Sequence, residues 1–506
     1  SNIISFIRSV PSLYPVYLRD TATGAFILDA NGNKQYDFGD NGQVRRPVLS
    51  PANPIATTSM NPTTYDRFIT TANVFAEAEF VKGLKFRTQY VLDYYQYASN
   101  VYYNPFVGDG AAYGGRSNKQ RDNTSSQTFT NTLTYDNIFG DIHHVNILAG
   151  MESYKYLIGS VSAEARGFSF PGVTELGYAA TPYLATSASY PLRMVSYFSR
   201  VNYDLNEKYH LSFSLRRDGT SRFADSSRWG TFYSVGAAWN IARENFMQSI
   251  TAINDLKLRF SIGTLGNQDL LDYFPYLGGY ATGWNIADYS GSIIGGANNG
   301  DLHWETQANL DLGIDFSILK NRISGSVTYF RKESKGLLFN RPLPPSSGLS
   351  GIDDNIGKNR NVGIEVDLST VNVRTASFEW STTINFTHIK NRFVELPQET
   401  IDRGNFRWEV GQPMYSFFIR EYAGVDAADG RPMWYMDVVD GDKTIKTVTK
   451  TYSEATRYYA GSALPDWTGG VTNTVRYKGF DLSVLLAFSI GGKIYDADYA
   501  GLMHSF

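Results

Sequence analysis

Along much of this chain polar and apolar residues alternate with a period of two. Val195, Tyr197, Val201 and Tyr203 alternate with Ser196, Phe198, Arg200 and Asn202. Tyr209, Leu211, Phe213 and Leu215 alternate with His210, Ser212, Ser214 and Arg216. The same rhythm runs through 256–263 and 309–316, and a last stripe joins Phe480, Leu482, Val484, Leu486 and Phe488. Side chains of a strand point to opposite faces in turn, so this pattern marks strands with one apolar and one polar face. It predicts fourteen strands, at about 72–80, 84–95, 127–135, 144–156, 194–204, 209–217, 231–240, 255–263, 307–316, 322–331, 361–369, 377–387, 466–477 and 479–489. Most suit the roughly 9–11 residues that a tilted strand needs to cross a bilayer, where strands of soluble proteins average about 5–6.

The connections sharpen this. Links at 81–83, 205–208, 317–321 and 478 are tight, and those at 136–143, 241–254 and 370–376 are moderate. Every other link is long: 96–126, 157–193, 218–230, 264–306, 332–360 and 388–465. Short and long alternate throughout, as in outer-membrane barrels with short periplasmic turns and long extracellular loops. The fold class expected is all-β, a transmembrane antiparallel barrel. Residues 1–71 form an early barrel or loop region with turn signals at Asn31-Gly32, Asn41-Gly42, Asn53-Pro54 and Asn61-Pro62, and 72–506 carry the barrel strands. The link 388–465, with Trp408, Trp434 and Tyr435, is expected to be a folded extracellular element.

Composition agrees. Aromatics make up 15% of the 506 residues, and 35 Tyr outnumber 31 Phe, as suits a protein with two membrane interfaces. Rings near strand ends are assigned to the interfacial girdles: Tyr94, Tyr95, Tyr97, Tyr154, Tyr156, Tyr203, Tyr209, Trp229, Tyr233, Trp239, Tyr329, Trp467 and Tyr477. No run approaches the roughly 18 apolar residues of a spanning helix. The net charge of −3 gives no basic field for nucleic acid, and the absence of Cys removes disulfides, thiolate metal sites and Cys nucleophiles. Ser1 to Val10 lack the features of a signal peptide, so either a leader has been removed or the chain begins part-way into a longer protein.

Three stretches in series are distinctive: Leu211 to Met247 with its RRDGTSRF core, Leu256 to Gln268 ending in GTLGNQ, and Asn355 to Asp367, NIGKNRNVGIEVD. With Trp304 to Gly351, Gly411 to Gly430 and Leu464 to Phe480, they resemble the SusC/RagA-type TonB-dependent transporters of the Bacteroidota outer membrane, from about residue 70 to the end. The resemblance implies a 22-stranded barrel, an N-terminal plug through which the TonB complex acts, a SusD-like surface lipoprotein as lid, and a dimer of transporter–lipoprotein pairs. No plug-like segment or TonB box is found here, so the chain is expected to be the middle of such a barrel, embedded in outer-membrane lipid.

Candidate chemistry is sparse. His143, His144, His210, His303, His388 and His504 show no metal-ligand spacing, and no nucleophile elbow, Walker A or dinucleotide motif is present, so neither an enzyme nor a cofactor is expected. Asp29, Asn31 and Asn33 open like a calcium loop, but Lys34 stands where Gly is needed; Asp437, Asp440 and Asp442 are a looser version. Aromatics in the long loops are the solute-contact candidates: Tyr280, Trp284 and Tyr289 as one cluster, and Trp434 with Tyr435 as another. The leading expectation is TonB-dependent import of an oligosaccharide or peptide. A passive porin or secretion pore, an outer-membrane enzyme and a soluble glycan binder stand as alternatives.

Overall fold

The computed structural model describes residues 14–39, 53–106, 108–170, 172–270 and 272–502. One antiparallel sheet of fourteen strands dominates, each strand hydrogen-bonded to its neighbours in sequence order. We number these strands β1 (Thr63–Val81), β2 (Leu84–Tyr103), β3 (Arg116–Phe139), β4 (His143–Phe168), β5 (Ala179–Leu205), β6 (Tyr209–Thr220), β7 (Trp229–Asn240), β8 (Ile253–Asn267), β9 (Glu305–Ile318), β10 (Ile323–Pro342), β11 (Gly351–Arg374), β12 (Phe378–Glu395), β13 (Trp467–Tyr477) and β14 (Phe480–Ile490). Each of the fourteen expected strands is present.

Their lengths differ from expectation. β3, β4 and β5 have 24, 26 and 27 residues, and β1 begins at Thr63 rather than 72. Much of 96–126, 157–193 and 332–360, assigned to loops, continues the ladders. Beyond the lipid both faces of a strand are wet, so the hydrophobic period vanishes while backbone pairing continues. The wall is therefore tall at β2–β5 and low at β6 and β7, which have 12 residues each.

The turns at the opposite end are tight. Asn206 and Glu207 both adopt positive φ, 53° and 52°, and Asp204 accepts the Glu207 amide at 2.8 Å. Lys478 and Gly479 form the same kind of two-residue turn, with φ of 45° and 89°, which matches strand twist. At Gly83 a side chain would strike the Asp136 carbonyl, its Cβ lying 2.3 Å from that oxygen.

Register fixes the faces. A cavity of about 650 Å³ opens on the face that carries His144, Asn146, Arg200, Ser212, Arg259 and Asp311. The opposite parity carries Ile147 and Met151 of β4, Leu211, Phe213 and Leu215 of β6, and Leu258, Phe260 and Ile262 of β8, all exposed. So wide an apolar surface is stable only against lipid. β1 pairs only with β2 and β14 only with β13 among the described residues, so the sheet has two open edges. Within hydrocarbon such edges need partner strands.

Residues 396–466 are folded, as expected. Thr400–Arg403, Phe406–Glu409, Ser416–Arg420 and Arg457–Ser462 form one small sheet, and Tyr422–Val425, Pro432–Asp440 and Lys443–Thr449 another. In the early region, 14–39 fold into paired segments bridged at Tyr17–Tyr36, Arg19–Phe26 and Leu28–Lys34. The turn signal Asn53-Pro54 instead starts a short helix, α1 (Pro54–Met60), because the Asn53 side chain caps the Ala56 amide and Pro suits the first helical position. Asn41-Gly42 lies outside the described residues.

Candidate transport lumen and extracellular loops

The inner wall carries charge, and much of it is laid flat. Arg259 of β8 reaches Asp315 of β9 with two parallel bonds, Nε to Oδ2 at 2.7 Å and Nη2 to Oδ1 at 2.8 Å. Gly313 makes room for that guanidinium, since a Cβ there would lie 2.9 Å from Arg259 Nη2. Arg216 bridges Asp218 at 2.7 Å and Glu152 at 3.3 Å. Toward the tight turns, His144 pairs with Asp136 at 3.1 Å, and His210 pairs with Asp204. The result is a polar wall of matched charges and small residues.

At the tight-turn end one carboxylate ties three elements together. Glu244 accepts from Tyr209 Oη at 2.6 Å, Lys208 Nζ at 3.0 Å and Trp239 Nε1 at 3.1 Å. The Tyr209 hydroxyl, then the Lys208 ammonium and the indole, hold the Glu244 carboxyl down at about 2. Tyr209 and Trp239 stack with centroids 6.5 Å apart, on the outer face where a girdle belongs.

At the other end the distinctive motifs fasten loops. Phe223, Phe232, Leu302 and Trp304 form a buried cluster joining 221–232 to 302–304. Trp304 packs edge-on against Phe223 and Phe232, at 5.8 and 5.6 Å, and donates Nε1–H to the Arg228 carbonyl at 2.9 Å. The buried Arg222 donates to the carbonyls of Gln268 and Leu270. Gly266 must be glycine because Phe232 lies over it, 2.1 Å from where a Cβ would stand. Asn355 clasps the neighbouring loop by accepting from the His303 amide and donating to the His303 and Gly336 carbonyls. These motifs thus hold the loops over the lumen.

The expected contact residues fall into two separate places. Tyr280, Trp284 and Tyr289 lie on one hairpin, in which Tyr280–Thr282 pairs with Ser292–Ile294, and all three rings are well exposed. Trp434 and Tyr435 are half-buried in the three-stranded sheet; Trp434 meets Tyr452 edge-on at 5.2 Å, and Lys446 Nζ lies 4.2 Å from the Tyr435 ring. No ring contact joins the two groups among the described residues.

The girdle assignment needs one correction. Tyr94, Tyr203, Tyr209, Trp229, Tyr233, Trp239, Tyr329, Trp467 and Tyr477 share the lipid-facing parity, but Tyr95, Tyr97, Tyr154 and Tyr156 share the lumen-facing one. The signal was available in the sequence, since Tyr154 and Tyr156 keep step with Asn146 and Glu152 rather than with Ile147 and Met151. Tyr190 and Tyr273, which stack at 5.3 Å, belong with them and carried no signal of their own.

Among the described residues no three His, Asp or Glu side chains are grouped to hold a metal. The Asp29 carboxylate is already engaged by the amides of Asn31 and Asn33. Asp437 accepts the Tyr458 hydroxyl at 2.6 Å. His504 lies outside the described residues.

Known proteins match this geometry. A family model for the TonB dependent receptor-like β-barrel matches residues 14–502. TonB-dependent receptor P3 of Formosa agariphila is 31% identical over 445 residues, 84% of this chain and 44% of the relative. TonB-dependent receptor SusC of Bacteroides thetaiotaomicron is 27% identical over 518 residues, 95% of this chain and 49% of the relative. The solved RagAB peptide transporter superimposes with a TM-score of 0.82 and 26% identity, covering 93% of this chain and 52% of that one. The chain spans about half the length of the curated relatives it matches. The family is of receptor and transporter type, and the chain belongs to it: this is a TonB-dependent receptor-like β-barrel of the bacterial outer membrane.

Proposed function

We propose that the whole protein imports a large nutrient, an oligosaccharide or a peptide, across the outer membrane, driven through TonB and capped by a SusD-like lipoprotein. The observation that carries this is the likeness to SusC and to the RagAB peptide transporter across more than nine-tenths of the chain. Three further assignments belong to the proposal: closure of the two open sheet edges by further strands, energy coupling through a plug, and pairing of two transporter–lipoprotein units. The exposed hairpin bearing Tyr280, Trp284 and Tyr289 is assigned to contact with the solute or the lid. Trp434 and Tyr435 are assigned to the same vestibule in a supporting role.

The test is uptake in cells with and without TonB, combined with purification of the full-length protein in mild detergent. A lipoprotein that accompanies the barrel, and uptake that stops without TonB, support import. A barrel that comes out alone and leaks solute equally in both strains is a passive pore.

A further inference from the structure

The tall wall of β2–β5 carries a row of tyrosines on the face where lipid cannot be. On the outer face of β4 the apolar run Val145, Ile147, Ala149 and Met151 ends at Ser153 and Lys155, which marks the edge of the hydrocarbon. At that level, on the inner face, stand Tyr154 and Tyr156, with rings nearly parallel at 14° and centroids 6.2 Å apart. Next to them Tyr190 of β5 stacks on Tyr273 of the loop after β8, at 5.3 Å and 26°. Tyr95 and Tyr97 of β2 continue the row, the latter stacked with Tyr65 at 5.9 Å.

One feature separates these rings from girdle tyrosines. Their parity is that of the lumen, so no bilayer interface explains them. The hydroxyls of Tyr95, Tyr154, Tyr156, Tyr190 and Tyr273 have no hydrogen-bond partner in the protein among the described residues. A tyrosine held in place with its hydroxyl open offers an apolar ring and a free donor-acceptor together.

The space between the rings is lined by hydroxyls, Thr124, Ser160 and Thr186 among them, all on the same parity. The charges nearby are committed or acidic. Asp122 accepts from Ser160 Oγ at 2.6 Å and Gln120 Nε2 at 2.8 Å, and Asp93 accepts from Thr71. Arg216 is engaged by Asp218 and Glu152, and Arg222 by two carbonyls beneath Tyr273. Arg67 of β1 stacks over the Tyr97 ring, 5.8 Å from its centroid, at the β1 end of the row; from Tyr95 across to Tyr273, at the level of the rings, no unengaged cation stands on this face among the described residues. A neutral sugar ring has apolar C–H faces and a rim of hydroxyls, which matches this wall group for group.

We infer that the inner face of β2–β5, through Tyr95, Tyr97, Tyr154, Tyr156, Tyr190 and Tyr273, is a binding track for a neutral oligosaccharide. This rests on the import proposal, and it selects one of that proposal's two substrate classes.

The probes are six-unit oligosaccharides of α- and β-linked glucose, mannose and xylose, and an uncharged and a charged hexapeptide set. Binding to the full-length protein, purified with whatever accompanies it, is read by calorimetry. At least one sugar binds, and Tyr154→Ala/Tyr156→Ala/Tyr190→Ala weakens it about tenfold or more, since several ring contacts are lost. The matching Phe variant, which keeps the rings and loses the hydroxyls, weakens it only a few-fold. Heat-modifiable gel mobility confirms that each variant still holds a folded barrel. The track is overturned if no sugar binds, if only peptides bind, or if the Ala variant binds like the parent. Sugar bound at this wall but taken up without TonB sinks the import proposal alone; TonB-driven uptake of peptides only sinks the track alone.

Discussion

Replacing Trp304 by Ala isolates what the loop-fastening cluster contributes. The indole is 7% exposed, packs edge-on against two phenyl rings and donates one hydrogen bond to a carbonyl. Truncating a buried Trp to Ala costs about 3–5 kcal/mol, a figure that already includes the cavity left behind. The Arg228 carbonyl also loses one of its two donors but keeps the Thr220 amide, so we add nothing for it. Of the cluster only Phe232 lies in the barrel ladder, which is held by backbone pairing along β6, β7 and β8; Phe223, Leu302 and Trp304 lie outside it. The penalty therefore falls on local opening of 220–229 and 299–305, and the barrel stays closed. At about 1.4 kcal/mol per tenfold, the lower bound of 3 kcal/mol raises the open population by about two orders of magnitude. Hydrogen exchange read by mass spectrometry should show the Thr220 amide, which donates to the Arg228 carbonyl at 3.3 Å, exchanging roughly 100-fold faster. Peptides from the middle of β6 should be unchanged. Trp304→Phe, which keeps a ring and loses the hydrogen bond, should cost only about 1 kcal/mol, or about fivefold. Equal protection in the Ala variant and the parent would refute the fastening role, and simultaneous loss of protection in β6 would refute its separation from the barrel.

Other consequences follow from the faces and contacts. A lysine at Phe213, on the lipid side of β6, costs about 2–4 kcal/mol and should cut the heat-modifiable barrel recovered from membranes, while Ser212→Lys, one residue away on the lumen side, should leave it intact; equal yields would mean that the faces are assigned wrongly. Because the folded Glu244 carboxyl sits at about 2, below its unfolded value near 4.5, its contribution is complete above pH 4.5 and fades as the pH falls toward 2. Exchange protection at the Asn240 amide should follow that window, and Glu244→Gln should remove the dependence. Gly266→Ala forces Phe232 off its seat and should destabilise the loops by about 1–3 kcal/mol, with Phe232→Leu relieving part of the effect.

The wall of the barrel was legible in the sequence because lipid on one side and water on the other impose a period of two, as in Leu211 to Leu215. Its height was not. Arg116 to Asn123 are polar at every position, so nothing in them distinguishes a paired strand above the membrane from a loop. Thr63 to Thr71 were missed because an edge strand with both faces exposed shows no stripe. The candidate contacts divide in the same way. Tyr280, Trp284 and Tyr289 shared a short hairpin and were found together. Tyr154 and Tyr156 were noticed and placed on the wrong face, because the reasoning weighed nearness to a strand end above parity. Tyr190 meets Tyr273, and Phe223 meets Trp304, only after the chain has passed through several strands. Local pattern carries no information about such encounters.

The fourteen strands lie side by side in the order in which they occur in the chain. Each strand finds its partner across a single connection, and no segment has to be threaded between two others already in place. Assembly can therefore run like a zip. Every hairpin added leaves a fresh margin of unsatisfied amides and carbonyls, which is the template for the next. Pairing restricted to sequence neighbours keeps the entropy of closure small at each step, and only the longest connections, 268–304 and 396–466, have to be searched. Because these connections fold on the outside, after their flanking strands have met, a slow or faulty loop would delay maturation of the rim without stalling insertion of the wall.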